Sequence, residues 1–330
     1  MTGPEKLSLR GLGKVLKQAG KGFAADNVIK LSGALAYFTV FSIGPMMIVI
    51  IFFADIFYGR EAVEGTVYGQ IRGFVGAEAA AQIQDIIRNA TMSPQSKAMA
   101  VVGFITLLIG ATTVFAEIQD SINTIWGLKA KPKKGWLKML LNRLLSFSLV
   151  VTLAFLLLVS LVINGLMEAL QNRMLAAFKD VAVVLIYMAN MVLTFVVITF
   201  LFAIVFKLLP DARIRWRDVT IGAFVTAVLF MLGKFGITFY IGSSNISSTY
   251  GTAGAFVVLL VWVYFSAIIL YFGAEFTKAY CVTFGSRIHP SEYAVWIKQV
   301  EVEEGRTSLR QQEEKKKDEN EQTGDNVTVT

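Results

Sequence analysis

The chain has a single cysteine, Cys281, and a single histidine, His289. One thiol excludes an internal disulfide framework and a cysteine-rich metal site. One imidazole excludes a histidine cluster, and with it a His-based zinc centre or a histidine acid/base pair. Charge is also scarce: Asp, Glu, Lys and Arg make up 17% of the residues, against about a quarter in soluble domains. No Ser–His–Asp set and no phosphate-cradling P-loop occur. No closely spaced acidic motif of the kind that holds a magnesium ion is read in a folded soluble segment. The reading is therefore non-enzymatic, with no catalytic residue, no cofactor and no bound metal expected.

What the sequence does contain is long uncharged runs. They are Leu31–Ala54, Ala98–Ala116, Leu144–Met167, Val181–Phe206, Val219–Tyr240 (broken only by Lys234) and Thr252–Ala274. Each approaches the ~20 residues needed to cross a hydrocarbon core. Lipid offers the backbone no hydrogen-bond partners, so continuous runs like these predict helices. The expected fold is all-α: a polytopic membrane bundle of six transmembrane helices. Residues 1–30 form a cytoplasmic or interfacial amphipathic segment, 31–285 the six-helix domain, and 286–330 a charged, mostly disordered cytoplasmic tail.

Orientation follows from the basic residues. Lys6, Arg10, Lys14, Lys17, Lys21 and Lys30 precede the first run. Lys129, Lys131, Lys133, Lys134, Lys138 and Arg143 fill the second connection, and Lys207, Arg213, Arg215 and Arg217 the fourth. The positive-inside rule places these segments and both termini in the cytoplasm. No cleavable signal peptide is read, because the N-terminus lacks a short apolar core with a small-residue cleavage site.

In the N-terminal segment Leu9, Leu12, Leu16 and Phe23 share one helical face, opposite Arg10, Lys14, Lys17 and Lys21. This pattern suits a helix in the membrane surface, its lysines among anionic headgroups; a solvated cytosolic helix is the plainer alternative. The basic residues have no interleaved aromatics, so nucleic acid is not an expected partner. Membrane lipids, including anionic ones, are expected partners, with envelope proteins a further possibility; oligomeric state is left open. In the first external connection, Ala79, Ile83, Ile86, Ile87 and Ala90 recur at helical spacing and predict a short extracytoplasmic helix.

Polar residues concentrate at two levels. "FAEIQDSINTIW", residues 115–126, follows the second run and is expected at its cytoplasmic end, with Trp126 near headgroup depth. Glu117, Asp120 and Asn123 there, with Arg143, Arg213, Arg215 and Glu275, form a candidate cytoplasmic-side polar cluster. It reads either as an ion-pair network that fixes topology or as a charged inner vestibule. Glu275 shares a helical face with Tyr264 and Tyr271. Within the runs, Ser42, Pro45, Tyr187, Asn190 and Lys234 are the candidate intramembrane polar or kink residues. Pro45 removes the donor to the Phe41 carbonyl and is expected to bend its helix. Ordinary helix–helix contacts are the competing reading.

Four blocks resemble one family: "SGALAYFTVFSIGPMMIV" (32–49), "FAEIQDSINTIWG" (115–127), "LLPDARIRWRDVTIGA" (208–223) and "YGTAGAFVVLLVWVYFSAIILYFGAEFTKAY" (250–280). Their order and spacing are similar to those of the YihY/BrkB family of bacterial inner-membrane proteins, over about residues 10–285. The resemblance implies a six-helix inner-membrane protein. Members have carried the labels virulence factor BrkB and ribonuclease BN; the residues argue against the second. Two function classes stand: a transporter or flippase for an amphiphile such as a lipid or envelope precursor, and a non-transporting envelope scaffold.

Overall fold

In the computed structural model the described residues are 8–57, 80–82, 84, 110, 113–131, 179–244, 254–284, 288–291 and 294–297. They are mostly helical. We label the helices α1 (Leu9–Ala25), α2 (Val28–Phe57), α3 (113–125), α4 (Lys179–Leu208), α5 (Trp216–Ser243) and α6 (Gly254–Phe284). Four short strands accompany them: β1 (Leu128–Ala130), β2 (Ala212–Arg213), β3 (His289–Pro290) and β4 (Ala294–Trp296). The compact unit runs to Trp296.

Among the described residues three helices are long and apolar enough to cross a membrane: Met191–Leu208, Trp216–Ser243 and Phe256–Phe284. Val28–Ser42 of α2 forms a shorter apolar stretch. The run Leu144–Met167 lies outside the described residues, as do Arg143 and the tail from 298 onward. Of the expected extracytoplasmic helix, 80–82 and 84 are helical, with Ala80 buried.

Helix α6 is the centre of the bundle, packing against α1, α2 and α5, while α4 packs on α5. The main core draws Leu35 from α2, Ile122 and Ile125 from α3, Phe206 from α4, Val219 and Ala223 from α5, and Tyr271 and Ala274 from α6. The outer surface is apolar as well. Phe224, Val228, Leu232, Phe235 and Phe239 make one exposed stripe along α5, and Met191, Val192, Val196 and Phe200 are exposed on α4. Apolar side chains on both the inner and outer faces suit helices that meet each other on one side and lipid on the other.

The α5–α6 crossing is made by two matching Gly-x-x-x-Thr segments, "GAFVT" (222–226) and "GAEFT" (273–277). A Cβ on Gly222 would stand 1.9 Å from Thr277 Oγ1, and one on Gly273 would stand 2.0 Å from Thr226 Oγ1. Each threonine therefore seats over the glycine of the other helix. Its hydroxyl donates to the carbonyl one turn back on its own helix, Thr226 to Gly222 and Thr277 to Gly273, both at 2.7 Å. Small residues of this kind let helix backbones approach where lipid supplies no hydrophobic drive.

Two turns direct the chain. Asn27 has φ 51°, a left-handed conformation that Asn tolerates better than most residues, and it separates α1 from α2. Gly127 has φ 69° and stops α3, with its N–H donating to Thr124 O at 3.0 Å. Beyond it β1 pairs antiparallel with β4, and β2 pairs with β3. These ribbons tie residues 289–296, past the expected end of the helical domain at 285, back onto the ends of α3 and α4. Helix α2 runs through Pro45 without a break in the helix.

Candidate functional site

Helix α1 begins on Ser8, whose Oγ accepts from Gly11 N at 3.1 Å. It has three faces. Gly11, Val15, Ala19 and Gly22 turn toward α6, where Val15 and Ala19 pack with Phe276, Ala279 and Tyr280. Gln18 adds a hydrogen bond from Thr283 Oγ1, at 3.0 Å. Leu12 and Leu16 are exposed on the second face, and Arg10, Lys14, Lys17 and Lys21 on the third. The two-faced pattern in the sequence is thus a three-faced helix: the small-residue face binds the bundle together with Phe23, which packs on Phe272, while Leu12 and Leu16 stay exposed.

At the C-terminal end of α1, Gly22 lies against Glu275 of α6; a Cβ there would be 2.3 Å from Glu275 Oε2. Glu275 is 1% exposed, and its Oε1 has no hydrogen-bond partner. Lys278 Nζ, one turn along, is 3.7 Å from Oε2 and donates to Asp26 Oδ2 at 3.1 Å. One turn before Glu275, the Tyr271 hydroxyl faces Ser121, Glu117 and Asp120 from α3. Tyr271 OH, Ser121 Oγ and Ser32 Oγ on α2 are likewise buried without hydrogen-bond partners. Between these two levels Trp126 is buried, its indole N–H donating to Ala274 O at 3.1 Å.

Of the expected cluster, the structure joins Asn123 to a residue the sequence had not singled out. Asn123 is buried; its Nδ2 donates to Asp211 Oδ2 at 3.0 Å and its Oδ1 accepts from Asp211 N at 2.9 Å. This locks the end of α3 to the turn between α4 and α5. Asp120 is exposed, as are Arg213 on β2 and Arg215 at the start of α5. Glu117 is half-buried, and burial, then the charge of Asp120, pushes its carboxyl above the ordinary glutamate value. Ser121 opposes both but makes no hydrogen bond of regular geometry. A close cation would act in the other direction.

Ser42 donates to Phe38 O at 2.8 Å and packs close to Gly110, a helix contact. Lys234 is half-buried on α5. Tyr187 and Asn190 fall within α4 and Pro45 within α2; their side chains lie outside the described residues. The residues that sequence reasoning missed are Gly22, Asp26, Lys278 and Asp211. Lys278 alone carried a local signal, its position three residues after Glu275 on one helical face. Among the described residues no group of three His, Cys, Asp or Glu side chains is placed to hold a metal ion.

Comparison with known proteins agrees with this architecture of apolar helices. The chain is 26% identical over 261 residues to a UPF0761 membrane protein of Pseudoalteromonas atlantica, covering 78% of this chain and 83% of that one. It is 29% identical over 282 residues to a UPF0761 membrane protein of Vibrio campbellii, covering 82% of each. For the similar protein Smlt0865 of Stenotrophomonas maltophilia, 26% identical, the match covers 78% of this chain and 58% of the relative. No solved structure matches the chain. Residues 19–291, from the middle of α1 to the β3 ribbon, match the family described as virulence factor BrkB, and the chain belongs to that family of membrane proteins.

Proposed function

We propose that this protein moves an amphiphile, such as a lipid or envelope precursor, across the bacterial inner membrane as a transporter or flippase-like protein, without enzymatic turnover. One observation carries the reading: buried polar atoms without hydrogen-bond partners inside an apolar bundle, on α2 (Ser32), α3 (Ser121) and α6 (Tyr271, Glu275). A bundle kept only for packing gains nothing from such groups, since each costs free energy when unsatisfied. A path that takes polar headgroups needs them. Helix α1 supports the same reading, because its exposed leucines and lysines suit the surface of an anionic leaflet. In this reading the chain spans six times and both termini are cytoplasmic.

The test is reconstitution. Purified protein in liposomes of mixed neutral and anionic lipid should accelerate movement of labelled lipid between leaflets. Intact reconstitution with no movement of lipid or solute would remove the transport reading in favour of a partner-binding scaffold. The topology has its own check: a cysteine at position 245 should be labelled from outside intact cells, and one at position 133 should not.

A further inference from the structure

The carboxyl of Glu275 is at once buried, near a cation and poorly served by it. Its Oε1 has no partner, and Oε2 lies 3.7 Å from Lys278 Nζ, beyond hydrogen-bond distance. Lys278 is committed to Asp26 at 3.1 Å. Asp26 also places a second acid beside Glu275, so two carboxyl groups share one ammonium and the deeper one has the smaller share. The Gly22 backbone closes the remaining side. An ionised carboxylate with a bare oxygen is far costlier in such a place than the neutral acid.

We infer that Glu275 is a proton-binding site, loaded and emptied from the α1 side, with Lys278 as the group that moves between Asp26 and Glu275 as the proton leaves and returns. The described charged groups that act on Glu275 are Asp26, at the end of α1, and Lys278, on its own helix. Their side chains are 22% and 33% exposed, so they connect the buried acid to water. When the site empties, the Glu275 O–H bond breaks and the proton passes to that water. The new carboxylate then takes the Lys278 ammonium, and Asp26 loses it. No electron moves. A metal ion is a poor alternative occupant, because the Lys278 ammonium already supplies a positive charge beside both acids. The contact that Lys278 gives up is an ion pair between the residue that ends α1 and α6, so proton release weakens one of the ties between them. Proton binding at Glu275 goes beyond the transport reading and stands without it.

Infrared difference spectroscopy of the full-length protein in lipid nanodiscs, titrated between about pH 5 and pH 9, tests this directly. Wild type should show the C=O stretch of a protonated carboxylic acid near neutral pH, and Glu275→Gln should lose it. Asp26→Asn should move the titration to lower pH, because it removes a negative neighbour and frees Lys278. Lys278→Met should move it to higher pH, because it removes the cation. The inference is overturned if no such band depends on Glu275, or if neither neighbouring substitution shifts its midpoint. A titrating band in protein that moves no lipid would support the site and count against the transport reading alone.

Discussion

At its crossing with α5, helix α6 fits Thr277 over Gly222 and receives Thr226 over its own Gly273; at its crossing with α1, it presses Glu275 against Gly22. In both places a glycine makes room for a polar side chain, but the two side chains fare differently. A threonine hydroxyl satisfies itself on the carbonyl one turn back, so the α5 crossing is closed and needs nothing from outside. A carboxylate has no donor available within its own helix backbone. The α1 crossing therefore depends on Lys278, which Asp26 already holds. Polar residues at a glycine notch can thus be adhesive or responsive, and whether the group can satisfy itself locally decides which.

The contrast predicts unequal responses to added bulk. Gly222→Ala and Gly273→Ala should each lower stability by about 1–3 kcal/mol, because the clash falls on a β-branched side chain that cannot swing away. Thermal unfolding in detergent measures this, and adding Thr277→Ala to Gly222→Ala should restore part of the loss. Simple additivity of the two would break the proposed pairing.

Trp126→Phe tests the residue between the crossings. It removes one buried hydrogen bond to Ala274 O and should cost about 1 kcal/mol in the same assay. A cost equal to that of Gly222→Ala would mean that α3 contributes as much as the α5 crossing.

Gly22→Ala should cost less, under about 1 kcal/mol, because the atoms it meets are the end of a flexible side chain. A larger loss than at Gly222 would invert the comparison. The substitution should also displace the Glu275 carboxyl and so alter its proton titration.

The smallest effect is expected at Glu117, a carboxyl outside both crossings. Its folded form holds the proton more tightly than the unfolded chain does, through burial and the charge of Asp120. The stability it contributes is fully present below the ordinary glutamate value of about 4.3 and is lost as pH rises through the higher folded value. Glu117→Gln should flatten that part of the stability–pH curve and leave the protein slightly more stable at neutral pH, by less than about 1 kcal/mol for a group that solvent still screens in part. A loss of stability instead would show that a cation offsets the charge.

The residue pattern alone marks this as a membrane protein of long apolar helices: the runs 181–206 and 219–240 lie inside α4 and α5, and the run 252–274 overlaps α6, which continues to Phe284. It also shows an amphipathic helix within residues 1–30, observed as Leu9–Ala25, since Leu and Lys spacing is a local property. Which face of each helix meets protein was decided only by the tertiary structure. In a membrane the face toward lipid is as apolar as the face toward the core, so hydrophobic periodicity carries little information about packing. That is why Phe239 and Tyr271, both within long apolar runs, end at opposite extremes of exposure. The pairings that make the site also span long distances in sequence: Gly22 and Asp26 meet Glu275 and Lys278, Trp126 meets Ala274, and Asn123 meets Asp211. Spacing within one helix predicts neighbours three or four residues apart. It cannot predict which glycine on another helix will stand over a given acid, because that depends on how the two helices cross.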